Sequence, residues 1–246
     1  MERQKYLLVA LVIVSQTNIF AENDWKKRIY KAYIENDMQE WQKTIDSMQD
    51  QQDKPQDFLM QLINFQYGYV AWCIGNDKPG LAKKYLALAE KNLDSLPKEI
   101  YKSTISAYQS AFYGFKIGLS KIRAPILGPR SVKSAEQAIE EDDQNPLGYI
   151  QYGNSQFYMP AIFGGSKKVA IEYFRKAEKL MAFEQELLKN DWNYLSLLTQ
   201  IAQSYEQIGE LEHAKHYYEK ILFIEPEFSW VKDELYPQFI NRMKLQ

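Results

Sequence analysis

Apolar residues recur at spacings of three and four along most of the chain from Asp24 onward, and polar residues fill the positions between them. This period matches the 3.6 residues per turn of an α-helix, whereas a half-buried strand alternates with a period of two. No convincing run of period two is present in the sequence. The pattern therefore predicts an all-α protein.

The clearest pattern lies in residues 195–226, where two helices are predicted on either side of a glycine turn. Small side chains at Ala202 and Ala214 allow the two helices to approach closely, and Gly209 permits the turn. Pro226 ends the second helix because it has no N–H to donate. The large residues expected between the helices are Leu198, Ile201, Tyr205, Tyr218 and Ile221. One hairpin leaves an apolar face open, so neighbouring hairpins are expected.

The same alternation of helices and turns recurs upstream. Further hairpins are predicted over residues 24–49, 57–96, 101–146 and 145–180, and an amphipathic helix, bent at Pro237, over 228–244. A longer connection is expected from Pro125 to Pro129. We predict a right-handed solenoid of about five antiparallel helix pairs with the last helix as a cap, in one domain of residues 22–246.

The stretch QFYMPAIFGG, residues 156–165, is predicted to connect two helices. Pro160 cannot continue the first helix, Gly164 and Gly165 free the backbone, and Ser166 is placed to cap the second helix. The connection is also apolar, because it contains Phe157, Tyr158, Ile162 and Phe163. Two interpretations stay open: the connection packs back onto its own hairpin, or it helps to line a binding pocket.

Residues 195–226 have the spacing of a tetratricopeptide repeat (TPR), and the chain resembles TPR proteins over residues 57–228. The segments GPRS, NPLGY and FYMPAIFGGSKKVAIEYFRKA are similar to exported bacterial TPR proteins with a P-x-x-F-G-G element between paired helices. Proteins associated with periplasmic TRAP transporters are among them. The resemblance implies a binding scaffold and not a catalyst.

The first residues have the order of an export signal. Residues 2–5 are charged, residues 6–14 are apolar, and residues 15–21 turn polar and end in a small residue. The apolar run is too short to span a bilayer. We predict a signal peptide of residues 1–21 and a periplasmic or secreted protein without stable membrane insertion. An uncleaved anchor is the alternative.

Charge and cysteine content exclude some classes of function. The chain has 30 Lys and Arg against 32 Asp and Glu, and a protein that binds nucleic acid would show a basic excess. Cys73 is the single cysteine, so no intrachain disulfide can form. Cys73 follows Trp72 on an apolar helix, which predicts a buried, inert thiol.

The polar residues show no catalytic or metal-binding pattern. His213 and His216 are three positions apart on one predicted helix, but no further ligand pattern accompanies them. The acidic run Glu140–Asp143 lacks the spacing of a calcium loop and is expected to end a helix in solvent. No nucleophile or phosphate-binding motif is found. We therefore predict a non-catalytic protein without metal or cofactor.

Binding is predicted on the first helix of each hairpin, because these helices line the concave side of stacked TPR hairpins. The predicted partner- or ligand-binding residues are Phe65, Tyr69, Trp72, Tyr108, Phe115, Ile150, Asn154, Phe157 and Phe163. The last hairpin offers polar groups instead, which are Thr199, Gln203 and Glu206. Such a face suits a protein, a peptide or an apolar small molecule.

Three alternatives to an open binding groove stay open. The aromatic residues could simply pack between helices. The protein could be an accessory subunit of a transport system that carries a small ligand in a closed apolar hole lined by Phe115, Phe157 and Phe163. An enzyme would need titratable groups that converge in a cleft.

Overall fold

The computed structural model describes residues 24–183 and 188–245, and within these ranges it contains helices and no strand, which confirms the all-α prediction. The predicted signal peptide, residues 1–21, lies outside the described residues. The helices are α1 (24–34), α2 (Met38–Gln49), α3 (Gln56–Gly75), α4 (Pro79–Asp94), α5 (Lys102–Leu119), α6 (Ala124–Glu141), α7 (Pro146–Tyr158), α8 (Lys167–Met181), α9 (Trp192–Gln207), α10 (Leu211–Ile224) and α11 (Tyr236–Met243).

Polar side chains define where several helices begin. Asp37, Asn145, Ser166 and Asp191 each precede a helix and accept a hydrogen bond from a backbone N–H in its first turn. These N–H groups have no partner inside the helix, so the caps stabilise the helix starts. The predicted capping role of Ser166 is confirmed by its bond from the Val169 N–H, at 3.3 Å.

The predicted connection from Pro125 to Pro129 is wrong, because both prolines belong to α6. Pro125 lies in the first turn of the helix, where a missing N–H costs no hydrogen bond. Pro129 lies one turn further and removes only the bond to the carbonyl of residue 125. The true connection between α5 and α6 is a short 3₁₀ turn, Lys121–Arg123, which follows Ser120.

Consecutive helices pack as antiparallel pairs, with α3 on α4, α5 on α6, α7 on α8 and α9 on α10. Each pair then packs on the next one, through α4 on α5, α6 on α7 and α8 on α9. This is the order of contacts that a stack of hairpins requires. The right-handed solenoid as a whole stays a prediction.

The C-terminal segment is not the single helix bent at Pro237 that the sequence predicts. A π-helical segment, Trp230–Leu235, runs directly into α11, and Pro237 lies in the first turn of α11. Pro237 cannot donate a hydrogen bond to the carbonyl of residue 233, which lies within the π-helical segment. The wider π turns therefore occur where the regular α-helical bond is missing.

Trp192 joins the two ends of the stack. The described apolar residues form two cores, one built mainly by α1 to α5 and one by α7 to α11. Trp192 begins α9, yet its buried indole belongs to the first core, with ring centroids 5.1 Å from Trp41 and 5.7 Å from Tyr33. The indole also lies against Gly68, where a Cβ atom would meet it.

The first helix also contacts the connection between α10 and α11. The Tyr30 hydroxyl donates to a Glu225 carboxylate oxygen at 2.8 Å, and the Ser229 hydroxyl donates to the Ile34 carbonyl at 2.8 Å. The ring of Tyr33 lies 4.9 Å from that of Phe228. The two ends of the described chain therefore meet, and the stack of hairpins closes on itself.

Replacing Gly68 by alanine is expected to lower the free energy of unfolding by about 1–3 kcal/mol, because a well-packed core has no room for the added methyl group. The new Cβ would lie 2.6 Å from the Trp192 ring and 2.8 Å from the Trp41 ring. The measurement is urea unfolding followed by circular dichroism. Gly114→Ala on α5 is the control, because its Cβ meets nothing within 4 Å. The stability of the Gly114→Ala variant should rise by about 0.5–1 kcal/mol. Equal effects of the two substitutions would show that Gly68 is not needed to make room for Trp192.

Candidate functional site

Four of the predicted binding residues are buried, namely Phe65, Tyr69, Tyr108 and Phe157. The expectation that these rings face an open hollow is therefore wrong. Tyr69 shows the reason: its ring packs 4.9 Å from that of Tyr85 on the neighbouring helix α4, and its hydroxyl donates to Gln42 on α2 at 2.8 Å.

The other predicted residues are more accessible. Trp72, Phe115, Ile150 and Asn154 are half-buried, and Phe163 has 74% of its surface exposed. Because Phe163 is in solvent, the three phenylalanines Phe115, Phe157 and Phe163 do not enclose a common hole. Binding by any of these residues stays a prediction.

Amide side chains, which the sequence interpretation missed, join the inner helices. Asn64 on α3 donates to the Tyr108 hydroxyl at 3.1 Å and to Asn193 Oδ1 on α9 at 2.9 Å. The Asn64 oxygen accepts the indole N–H of Trp192 at 3.0 Å. This set of bonds connects α3, α5 and α9. Amides within otherwise apolar helices were the signal that could have revealed it.

A second set of bonds adds α7. Gln151 donates to the Tyr67 hydroxyl at 3.2 Å, and Asn154 donates to Gln151 at 3.3 Å. The Tyr67 ring also stacks on Phe115, with centroids 5.4 Å apart. The side chains that face inward therefore bind one another across the stack, and the inner face is filled by the protein itself.

Backbone hydrogen bonds and two glycines define the path of the connection between α7 and α8. The Pro160 carbonyl accepts hydrogen bonds from the N–H groups of Phe163 and Gly165, at 2.9 and 3.3 Å. Gly164 has a φ of 94°, and a Cβ on Gly165 would lie 1.9 Å from the Met159 carbonyl oxygen. Both glycines are thus required by the backbone path.

Apolar side chains at this connection are exposed to solvent. Tyr158, Ile162 and Phe163 are 71%, 86% and 74% exposed. The exposure of Ile162 and Phe163 matches neither sequence interpretation, because these two side chains neither pack back onto the hairpin nor line a pocket. Only Phe157 packs inward, with the Lys167 ammonium over its ring at 5.4 Å.

An open cleft of about 480 Å³ lies beside this connection, between the ends of α7 and α9 and the C-terminal helix. It is lined by Phe157, Tyr158, Gln203, Glu206, Gln207, Tyr218, Leu235 and Arg242. Two of the polar residues predicted for the last hairpin, Gln203 and Glu206, thus line the cleft. The third, Thr199, is buried and donates its hydroxyl to the Leu195 carbonyl at 2.8 Å.

The charged groups of the cleft are paired with each other. Arg242 Nε donates to Glu206 Oε1 at 2.7 Å, and the Tyr218 hydroxyl donates to the other carboxylate oxygen at 3.2 Å. Burial and the Glu206 carboxylate raise the pKa of Tyr218, so its hydroxyl keeps the proton. The cleft therefore combines rings, amide groups and a neutralised ion pair.

The remaining candidate groups are engaged in ordinary contacts. The His213 ring stacks on Tyr205 with centroids 4.9 Å apart, and the His216 ring lies edge-on to Tyr217. In the described ranges no cluster of three or more His, Cys, Asp and Glu side chains is arranged to hold a metal ion. None of the described helices combines the length and apolar composition that crossing a bilayer requires.

Comparison with known proteins adds no relative. No protein-family model and no curated protein matches the chain. The resemblance to TPR proteins therefore rests on the residues of this sequence, and the function must be argued from the described surface.

Replacing Asn64 by alanine is expected to lower the free energy of unfolding by about 1–3 kcal/mol, because the Trp192 N–H and the Tyr108 hydroxyl each lose a partner. Urea unfolding followed by tryptophan fluorescence measures the change. Asn76→Ala provides a matched control, since the exposed Asn76 amide bonds only to the Trp72 carbonyl of its own helix. A loss of the same size in both variants would show that the inner amides do not hold the stack.

The Cys73 thiol is expected to react with a disulfide reagent only when the protein unfolds. The side chain is fully buried, and burial raises its pKa to about 11, so the reactive thiolate is scarce at neutral pH. The measurement is the rate of thiol modification with increasing urea, which should rise together with unfolding. Fast modification without denaturant would contradict this prediction.

Proposed function

We propose that this protein is an exported, non-catalytic scaffold that binds a segment of a partner protein in the cleft beside the α7–α8 connection. The observation that carries the proposal is the lining of the cleft, in which Phe157, Tyr158 and Leu235 stand next to the amides of Gln203 and Gln207. Apolar walls with a few polar groups are typical of binding sites, and the volume of about 480 Å³ lies within their usual range.

The shape of the cleft favours a chain segment as the ligand. The cleft is open to solvent, and Tyr158, which is 71% exposed, forms part of its apolar wall. An apolar side chain of the partner would occupy the space beside Phe157 and Leu235, and its backbone would bond to the two glutamine amides. This chemistry suits the protein or peptide ligand that the sequence analysis predicts.

The absence of catalysis is part of the proposal, and the pairing of charges supports it. Glu206 and Arg242 neutralise each other, and Tyr218 donates to the same carboxylate. A general acid or base needs a group that is available to the substrate. The order of charged, apolar and small residues within residues 2–21 supports export.

The test uses peptides selected from a random display library on the immobilised protein, with dissociation constants measured by fluorescence anisotropy. Gln203→Trp places a large ring in the cleft and is expected to raise the dissociation constant at least about tenfold, because the ring occupies the peptide site. Gln137→Trp is the matched control, since Gln137 lies on the exposed face of α6. Its dissociation constant should stay within about twofold of the unsubstituted protein.

The result that would overturn the proposed function is equal peptide binding by both variants, because the bound peptide would then lie outside the cleft. Affinity capture of the natural partner from an envelope extract, repeated with the same two variants, extends the test to the full-length ligand. Circular dichroism checks that both variants keep the helical content of the unsubstituted protein.

A further inference from the structure

Two neighbouring connections hold bulky apolar side chains in water. Ile122 precedes α6 and Ile126 lies in its first turn, and they are 87% and 65% exposed. Ile162 and Phe163 protrude from the α7–α8 connection. We call these four side chains the apolar tips. Exposed apolar groups gathered in one place mark an interaction surface.

The apolar tips lie on the same edge of the molecule. Helix α6 packs on α7, and the hydroxyl oxygens of Ser131 and Ser155 are 3.5 Å apart. From Ser131 the chain runs back about 10 Å to the start of α6, and from Ser155 it runs forward about 5 Å to the end of α7, at 1.5 Å per residue. Because the two helices are antiparallel, both paths lead to the same side.

The edge that carries the apolar tips is cationic. Lys121, Arg123, Arg130 and Lys168 are exposed close to the tips. The sequence has no Asp or Glu from residue 100 to 135 or from residue 144 to 171. Among the described residues, none of these four cations forms an ion pair with a carboxylate. Their charge is therefore available to an anionic surface.

The opposite edge carries charges of both signs. The connections that lead from α4 to α5, from α6 to α7 and from α8 to α9 emerge there, and their described residues include Glu99, Asp142, Asp143 and Asp191 together with Lys98 and Lys189. The region around the apolar tips is thus the more cationic one, although the net charge of the chain is only −2. An anionic surface would attract the tips more strongly than the opposite edge, which would orient the molecule.

We propose that the cationic edge docks on the surface of an anionic lipid bilayer. The apolar tips enter the boundary between headgroups and acyl chains, and Lys121, Arg123, Arg130 and Lys168 approach the lipid phosphates. The tips stand on protruding turns and do not line a hollow, so a protein partner would need a separate socket for each of them. A fluid bilayer adapts to such tips without preformed sockets. This surface is separate from the binding of a peptide in the cleft.

The first test measures the depth of single positions in the bilayer. Ile162→Cys and Phe223→Cys are each labelled with a polarity-sensitive fluorophore in the full chain, since the native Cys73 is buried and does not compete. Phe223 is the control position, because it is 88% exposed on α10 outside the tips. With vesicles of phosphatidylglycerol and phosphatidylcholine, the emission maximum of the label at 162 should shift to shorter wavelength, and brominated lipids should quench this emission. The label at 223 should keep the emission maximum that it shows without vesicles.

The second test separates local charge from net charge. Lys121→Glu with Arg123→Glu should weaken docking of the label at position 162 at least about tenfold, because each cation near an anionic membrane contributes about fivefold in affinity. Lys98→Glu with Lys189→Glu changes the net charge equally on the opposite side and should leave docking within about twofold. Gln203→Trp should also leave docking unchanged, so this result is independent of the peptide test.

Three results would overturn the proposal. The first is a label at position 162 that stays in water with anionic vesicles. The second is equal docking on vesicles of phosphatidylcholine alone, and the third is equal weakening by the two charge-reversal pairs. A label at 162 that ignores vesicles but is shielded by an acidic protein would assign the edge to a protein partner instead of a bilayer.

Discussion

The indole of Trp192 holds together parts of the chain that are far apart in sequence. The indole fits between α2 and α3 only because residue 68 has no side chain. Asn64 accepts a hydrogen bond from the indole N–H at the same place. Burial of a tryptophan in a core contributes about 3–5 kcal/mol relative to alanine, which is a large share of the stability of a domain. Once Trp192 is in place, α9 must lie across α3, and Asn193 reaches the amide of Asn64.

This contact changes what the inward-facing side chains of the helices can do. In an open stack the inner helices offer their side chains to a ligand. Here Gln151 bonds to Tyr67, and Asn64 bonds to Tyr108 and Asn193, so a ligand would have to break these hydrogen bonds before it could enter. Accessible apolar surface is found instead at the helix ends, where the backbone of the α7–α8 connection is fixed by Gly164 and Gly165. Loops on a rigid scaffold commonly carry the binding residues.

Local patterns predicted the helices well, because helix period, caps and turns depend on residues close in sequence. The turn at Gly209 and the cap at Ser166 are examples. The inner face was predicted poorly, since residues two positions apart on a helix point in directions about 200° apart. Tyr69 was assigned to the binding face, but its ring is buried against Tyr85, and it is Tyr67 that bonds to Gln151 on α7. The closure could not be predicted, because it depends on the contact of Trp192 with Gly68, more than a hundred residues away.

The meeting of the first helix with the connection after α10 has a consequence for how this protein could have evolved. Linear repeat proteins lengthen or shorten readily by duplication or loss of a unit, because each unit touches only its neighbours. Here the bonds from Tyr30 to Glu225 and from Ser229 to Ile34 span the whole array. Inserting or deleting one hairpin would move these partners apart, so the number of hairpins is held constant by the geometry and new properties must arise by substitution in the exposed turns.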